Sequence, residues 1–333
     1  MAILLLAGAR TLPAQQQKSI PISPICEPCI RAEERFLSSS ELRGRGSATA
    51  DEHLAAQYSA SLFASFGLEP GGENSSFLQR APLPNPLPEQ LQKYLDAHYE
   101  HNDRRETWNA VAILRGTEKT QPEAILLSAH LDHLGVGRRQ ADGSSGPIYP
   151  GADDDASGTT AVLELARALS HGPRPRRTIV FVLFGSEELG GFGNRYFLDH
   201  PPIPLNSIVA NLEFEMIGRA DPLINRNALW LTGYERSNLG PELARHGAPL
   251  VADPHPAENF FQRSDNYALA RRGIVAQTIS SYGLHKDYHQ TTDTFDGLDL
   301  DHLTSAITAM RPSIEWLANT AWKPQWKPGG KPE

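Results

Sequence analysis

The sequence predicts an α/β fold: a three-layer sandwich in which helices flank a mostly parallel, mixed central β-sheet. Three observations carry this prediction. Short apolar runs rich in β-branched residues recur along the chain, stretches with helical periodicity alternate with them, and the runs are apolar at consecutive positions. Strands that alternate with helices and are apolar throughout are typical of a parallel sheet covered by helices on its faces.

The elements begin with a helical part. Residues 28–67 carry apolar side chains at helical spacing, and Gly67 is a suitable end for the last helix. Residues 82–105 are first rich in proline and then highly polar, without a face that could join a core. We therefore predict N-terminal helices at 28–67 and a surface excursion at 82–105, with one helix near residues 89–98.

The remaining elements alternate. Apolar runs predict strands at residues 109–114, 124–128, 179–184, 207–212, 228–231 and 273–279. Helices are predicted at residues 157–169 and, as a closing amphipathic helix, at residues 300–321. In open α/β sheets the functional site lies beyond the carboxyl ends of the strands. We expect the chemistry in the segments that directly follow these runs.

Bulk composition limits the function. The chain has 333 residues, of which 40% are hydrophobic, enough for one large core or at most two domains. We predict a single domain at residues 25–325. The net charge of −8 argues against a general nucleic-acid partner, which would require a basic face. The sequence also contains no apolar run as long as a membrane-spanning helix.

The first residues indicate export. Residues 1–17 are apolar and then polar, like the end of a secretory signal that lacks its basic start. We predict a truncated signal segment and a secreted or periplasmic protein. The cysteines are Cys26 and Cys29, and either a local disulfide or two idle thiols fits their spacing.

Two adjacent carboxylates follow the apolar run that ends at Phe184. Glu187 and Glu188 would stand at the tip of a buried strand, where a carboxylate pair is costly unless a cation compensates it. A metal ion could be bound by one glutamate while the other moves protons. Two solvated loop glutamates are the alternative for this dipeptide taken alone.

Four further polar clusters follow other runs. His130 and Asp132 alternate and so share a face of an extended chain, as do Glu213 and Glu215. The remaining two clusters are the aspartates of Pro150-Gly-Ala-Asp-Asp-Asp-Ala-Ser-Gly158 and the segment Asp287-Tyr-His-Gln-Thr-Thr-Asp-Thr294. Each could be a solvated loop, but five acidic or histidine clusters that all follow strands indicate a common site.

These clusters resemble the zinc-dependent aminopeptidase family of bacterial secreted leucyl aminopeptidases, to which glutamate carboxypeptidases and glutaminyl cyclases are related. The resemblance covers about residues 30–322, and its segments run in the family's order: His130-Leu-Asp-His, Gly151-Ala-Asp-Asp-Asp-Ala-Ser-Gly, Ser186-Glu-Glu-Leu-Gly, Asn211-Leu-Glu-Phe-Glu-Met-Ile-Gly and Tyr288-His-Gln-Thr-Thr-Asp. It implies the zinc exopeptidase fold, peptide substrates with a free N-terminus and two zinc ions.

Carried over by position, the resemblance implies five metal ligands. Asp153 would bridge both ions. His130 and Glu215 would complete the set of one ion, and Glu188 and His289 would complete the set of the other.

The resemblance also implies the catalytic residues. Glu187 would be the general base, and Asp132 would be the carboxylate partner of the His130 ring. The peptide bond between Asp153 and Asp154 would be cis.

One position departs from the family. Aspartate is usual where this chain has Glu215, and the extra methylene shifts the geometry of the second zinc ion. Glu213 is a competing ligand two residues earlier. Asp265, in a Ser-Asp segment that the family shares, would contact substrate or support its loop.

Three other functions stay open on the same fold: a glutaminyl cyclase-like transferase with one zinc ion, a carboxypeptidase that removes acidic residues, and a non-catalytic binding protein. A complete ligand set together with Glu187 favours hydrolysis over the first and the last. Relatives that remove acidic C-terminal residues usually carry additional domains. This chain has only the surface excursion at residues 82–105 before its core, which disfavours the second.

Overall fold

The computed structural model describes residues 25–333, so the predicted signal segment 1–17 lies outside the described residues. The helical part contains two α-helices, α1 (Glu27–Leu37) and α2 (Ala50–Ser65). A turn of 3-10 helix at Ser40–Arg45 separates them because Arg43 and its neighbour have left-handed backbone. The prediction of helices at residues 28–67 is therefore confirmed, with a break in the middle. A disulfide joins Cys26 to Cys29 at the start of α1.

The next part of the chain crosses one edge of the sheet. It comprises β1 (Glu69–Pro70), β2 (Leu78–Pro82), α3 (Glu89–His98) and β3 (Glu106–Leu114). Helix α3 confirms the predicted helix of the surface excursion, and Leu95 is its buried residue. The short strands β1 and β2 were not predicted, because neither has an apolar run.

The remaining elements follow the predicted alternation. They are β4 (Ala124–His130), β5 (Gly135–Val136), β6 (Ile148–Tyr149), α4 (Gly158–Ser170), β7 (Thr178–Phe184), α5 (Phe192–Asp199), β8 (Ile208–Phe214), β9 (Leu229–Leu231), α6 (Leu239–Arg245), β10 (Leu250–Ala252), α7 (Asn266–Arg271), β11 (Val275–Ser280) and α8 (Leu300–Asn319). Helices α5, α6 and α7 were not predicted; each has eight residues or fewer.

Nine strands form one mixed sheet, in which the order along the main path is β1-β3-β7-β4-β8-β11-β9-β10 and β2 pairs with β3. The central strands β7, β4, β8 and β11 are parallel neighbours. Strand β3 joins β7 antiparallel, and β9 joins β11 antiparallel. The predicted fold class, with a mostly parallel centre in a mixed sheet, is confirmed.

Both faces of the sheet are covered, as the apolar strands require. Along β7, Ile179, Phe181 and Leu183 point into a core that includes residues of α1, α2, α4 and α8. Val180, Val182 and Phe184 point the other way, into a smaller core with residues of α5 and α7. Among residues 25–333, no helix is long and apolar enough to cross a membrane.

Candidate metal centre

Four segments meet because four parallel strands end at the same edge of the sheet. His130, the last residue of β4, is aligned with Phe184, the last residue of β7. Glu213 of β8 is aligned with Ser128 of β4 and with Thr278 of β11. The segments that follow these strands carry the polar clusters and converge over the centre of the sheet.

The aspartate triplet differs from the sequence prediction by one residue. Asp154, and not Asp153, faces the two predicted histidine ligands. Its Oδ1 lies 3.2 Å from Nε2 of His130, and its Oδ2 lies 3.1 Å from Nε2 of His289. The cis peptide bond likewise joins Asp154 to Asp155 instead of Asp153 to Asp154. The prediction was wrong here because neighbouring side chains in this irregular turn point in different directions, which residue spacing does not determine.

Asp153 is held away from the histidines that face Asp154. Its Oδ1 accepts hydrogen bonds from the backbone N–H of Gly218 at 2.7 Å and from the Ser157 hydroxyl at 3.1 Å. Its Oδ2 lies 3.1 Å from Nε2 of His285. Asp153 therefore ties the aspartate turn to the segment after β8 and to the loop after β11.

The third aspartate also supports the turn. Oδ1 of Asp155 accepts backbone hydrogen bonds from Gly158 and Met216, and its Oδ2 accepts one from the backbone N–H of His130. A single buried carboxylate thus connects the start of α4 to the ends of β4 and β8.

Asp293 positions the turn from the opposite side. Its Oδ2 accepts the backbone N–H groups of Asp153 at 3.0 Å and of Asp154 at 3.1 Å. Asp293 stands four residues after His289, so its carboxylate links the loop that carries this histidine to the backbone of Asp154. Asp293 belongs to the segment that was singled out from the sequence, but no role was predicted for it.

Two groups of side chains could each hold a metal ion, and Asp154 belongs to both. One group is His130, Asp154 and Glu215, and the other is His133, Asp154 and Glu188; within each group the donor atoms all lie within 4.8 Å of one another. His289 adjoins the second group, with its Nε2 3.2 Å from Oε1 of Glu188. The structure therefore brings together every predicted ligand except Asp153, and it adds His133.

Glu215, whose assignment depended on alignment, lies in the first group, whereas Glu213 lies in neither. Glu213 is fully buried, and its carboxylate oxygens make no hydrogen bond to any described residue. Burial and the nearby charge of Asp265 raise the pKa of Glu213 well above its usual value, which favours a neutral carboxyl. Burial also raises the pKa of Asp265 to about 7, against the hydrogen bond that Asn194 donates to it.

The Asp132 carboxylate holds the backbone of the glutamate pair. Its oxygens accept the backbone N–H groups of Glu187 at 3.0 Å and of Glu188 at 3.3 Å, and the hydroxyl of Ser47 at 2.5 Å. The ring Nδ1 of His130 lies 3.2 Å from the main-chain oxygen of Asp132 and 3.8 Å from its carboxylate. The main-chain oxygen of Asp132 is therefore the closer partner of the ring, and its carboxylate mainly positions the two glutamates.

A second buried carboxylate, Glu52 of α2, also holds the backbone next to the glutamate pair. Its role was not predicted from the sequence. Its Oε1 accepts the backbone N–H of Ser186 at 2.9 Å and the hydroxyl of Thr107 at 2.8 Å. Ser186 has a positive φ of 58°, a strained conformation that needs such support. Acidic residues are common in the first turn of a helix, where they interact favourably with its N-terminus. Nothing in the sequence therefore singled out Glu52.

The pocket above these groups has about 480 Å³ of empty space. Its lining includes Asp154, Glu187, Glu188, Glu215 and His289, together with Trp230, Phe260, Arg263 and Tyr288. Trp230 and Phe260 stack with ring centroids 5.1 Å apart and form an apolar wall. Loss of hydration raises the pKa of Glu187 well above its usual value, while the charge of His130 opposes the rise.

The chain belongs to peptidase family M28, whose sequence pattern matches residues 109–313. Aminopeptidase YwaD of Bacillus subtilis is 32% identical over 111 residues, which cover 33% of this chain and 22% of that protein. Leupeptin-inactivating enzyme 1 of Streptomyces exfoliatus is 33% identical over 207 residues, which cover 56% of this chain and 44% of that protein. The chain thus spans less than half of the length of these curated relatives.

Solved structures share the fold. A zinc aminopeptidase from Bacillus subtilis superimposes with a TM-score of 0.64 and 17% identity, covering 90% of this chain and 97% of that one. Glutaminyl cyclase of Porphyromonas gingivalis superimposes with a TM-score of 0.62 and 16% identity, covering 89% of this chain and 100% of that one. At such identities the likeness establishes the architecture and not the reaction.

Proposed function

We propose that this protein is a metal-dependent aminopeptidase that removes the N-terminal residue of peptides. One observation carries the proposal: the Asp154 carboxylate belongs to both groups of candidate ligands, with one oxygen toward His130 and the other toward His289. A carboxylate shared in this way suits two metal ions a few ångströms apart, an arrangement found in aminopeptidases. Membership of family M28 and the aminopeptidase relatives support the same reaction class.

The residues present fit zinc. Imidazole nitrogen and carboxylate oxygen are ordinary zinc donors, and both groups contain the two types. Oε1 of Glu188 is buried and makes no hydrogen bond to any described residue, as expected of an atom that binds a cation. We propose His130, Asp154 and Glu215 for one ion, and Asp154, Glu188 and His289 for the other, with Asp154 taking the bridging role predicted for Asp153.

Glu187 is the proposed general base. Bound divalent ions supply Lewis acidity toward a water molecule and toward the scissile carbonyl. Glu187 lines the pocket beside both ligand groups but belongs to neither, so its carboxylate is free to take a proton from the attacking water and to pass it to the leaving amine. The hydrogen bond that its backbone N–H donates to Asp132 fixes its position.

The acidic lining favours a substrate with a free N-terminus. Four carboxylates line the pocket: Asp154, Glu187, Glu188 and Glu215. Three of them are the proposed metal ligands, so Glu187 is the one that remains to attract the α-ammonium of a peptide, a charge that a blocked N-terminus lacks. The restriction to N-terminal residues is therefore attributed to this acidic end of the pocket.

The reaction class is tested with a panel of aminoacyl p-nitroanilides, with N-acetylated substrates as controls. We expect hydrolysis of the free amines, its loss with a chelator and its recovery with zinc. Glu187→Gln should lose about 10²- to 10⁴-fold in kcat while it keeps its zinc. Cyclisation of N-terminal glutamine without amide hydrolysis would instead support the glutaminyl cyclase alternative, and cleavage from the C-terminus would support a carboxypeptidase.

We also propose that the protein acts outside the cytoplasm. The disulfide between Cys26 and Cys29 supports this, since disulfides persist in oxidising compartments. Fractionation of producing cells should recover the protein from the periplasm or the medium, and recovery with the cytosol would contradict the proposal.

A further inference from the structure

His133 is a buried imidazole beside the candidate metal centre to which nothing in the sequence assigned a role. It stands three residues after His130 and is 0% exposed. Its ring packs directly on the backbone of Gly151, where an added Cβ would lie 2.5 Å from Cγ of His133. The left-handed glycine at the start of the aspartate turn therefore makes room for this ring.

The position of the ring is that of a ligand. Nδ1 of His133 lies 3.0 Å from Oε1 of Glu188 and 3.8 Å from Oδ2 of Asp154. Zinc binds nitrogen and oxygen at about 2.0–2.2 Å, which puts neighbouring tetrahedral ligands roughly 3.3–3.6 Å apart. The two distances bracket that separation, and those from His289 to the same two oxygens, 3.1 and 3.2 Å, lie just below it.

Hydrogen bonding does not account for this contact. Both ring nitrogens of His133 and Oε1 of Glu188 are buried, and none of the three makes a hydrogen bond to a described residue despite the 3.0 Å approach. Buried polar atoms that stay unpaired are rare and call for an explanation such as an ion. Two donor atoms side by side on one cation would lie close together without pointing at each other.

We propose that His133 is a fourth protein ligand of the ion assigned to Asp154, Glu188 and His289, an inference that rests on the proposed function. The two metal positions then differ. Four protein donors close the coordination of this ion, whereas His130, Asp154 and Glu215 leave an open position on the other. The closed position should bind the first metal equivalent and bind it more tightly.

Cobalt titration of the metal-free protein tests the proposal. Four-coordinate Co²⁺ absorbs visible light more intensely than Co²⁺ with five or six ligands, so the first equivalent bound to the unaltered protein should give the stronger spectrum. His133→Asn keeps an N–H donor near Nδ1 but is a poor ligand. We expect it to weaken binding of the first equivalent at least about 10-fold and to lower its absorbance.

A matched control is His246→Asn, which removes an imidazole that packs on Trp316 away from the centre; it should bind and absorb like the unaltered protein. Equal affinity and spectrum in His133→Asn would show that the ring is not a metal ligand, and would overturn this inference alone. Failure of the unaltered protein to bind cobalt would overturn the proposed function as well.

X-ray absorption on the unaltered protein loaded with one zinc equivalent gives an answer that needs no variant. Two imidazoles on the ion support the proposal, and one imidazole contradicts it.

Discussion

The two ends of strand β7 each carry buried charge, but only one end has all of its charge paired. At the amino end, Arg177 is 0% exposed. Its Nε donates to Oε2 of Glu123 at 2.8 Å, and its two terminal nitrogens donate to the main-chain oxygens of Leu317 and Trp322, each at 2.7 Å. Every part of this guanidinium meets an acceptor supplied by the fold.

At the carboxyl end, the fold positions side chains and leaves some of their functional atoms without a hydrogen bond. Asp132 and Glu52 hold the backbone of residues 186–188, yet Oε1 of Glu188 and both ring nitrogens of His133 make no hydrogen bond to a described residue. The same strand thus joins a buried charge that stabilises the fold to a buried cluster whose donor atoms suit a cation. Both ends are buried, so the difference between them lies in how many of their polar atoms make hydrogen bonds.

The largest effect on stability should come from Arg177→Met at the amino end of β7. Removal of the guanidinium leaves Glu123 and two main-chain oxygens without their buried donor, which should lower the free energy of unfolding by about 3–5 kcal/mol. Because the carboxyl end is untouched, kcat per folded molecule should not change. Urea unfolding and active-site titration measure the two quantities; a large drop in kcat would mean that the two ends are not independent.

A smaller effect is expected for Asp132→Asn. The asparagine keeps one acceptor for the backbone of Glu187 and Glu188 but places an amide N–H against the other N–H group. We expect kcat to fall about 10- to 100-fold, the usual range for residues that orient metal ligands, with little change in the free energy of unfolding. An unchanged kcat would show that the turn holds its shape without this carboxylate. Asp142→Asn, in an exposed loop, is the control.

The smallest effect concerns pH at the amino end. Partial burial raises the pKa of Glu123, but hydrogen bonds from Lys323 and Arg177 outweigh it and lower the pKa below its usual value. This carboxylate therefore stabilises the fold fully above about pH 4.5, and the contribution disappears as the pH falls through the lowered value. Glu123→Gln should cost about 1 kcal/mol at pH 7 and progressively less toward pH 3. A cost independent of pH would contradict the ion pair.

The sequence predicted the centre of the fold better than its edges. Strands such as β7 and β4 are buried on both faces, so their apolar runs are unambiguous. Strand β10 has one buried residue, Leu250, and strand β2 alternates, so neither yields a comparable signal. Short strands of this kind are fixed by their neighbours in the sheet and not by their own residues.

For the site, the segments were predictable and the individual roles were not. Residue types and their position at strand ends singled out the segments, and the family resemblance assigned His130, Glu188, Glu215 and His289 within them, which the structure brings together. The choice between Asp153 and Asp154 depends on which way each side chain leaves an irregular turn. That direction is determined by distant partners such as Asp293, and residue spacing carries no information about it.

The assignment of Asp154 to both ligand groups is tested most directly by the zinc content of two neighbouring variants, Asp154→Asn and Asp153→Asn, after gel filtration in a weakly chelating buffer. We predict that Asp153→Asn retains as much zinc as the unaltered protein, because its carboxylate binds Gly218 and Ser157 within the fold. Asp154→Asn should lose most of it, because both ligand groups depend on this carboxylate. Loss of zinc from Asp153→Asn with full retention in Asp154→Asn would contradict the assignment of Asp154 as the shared ligand.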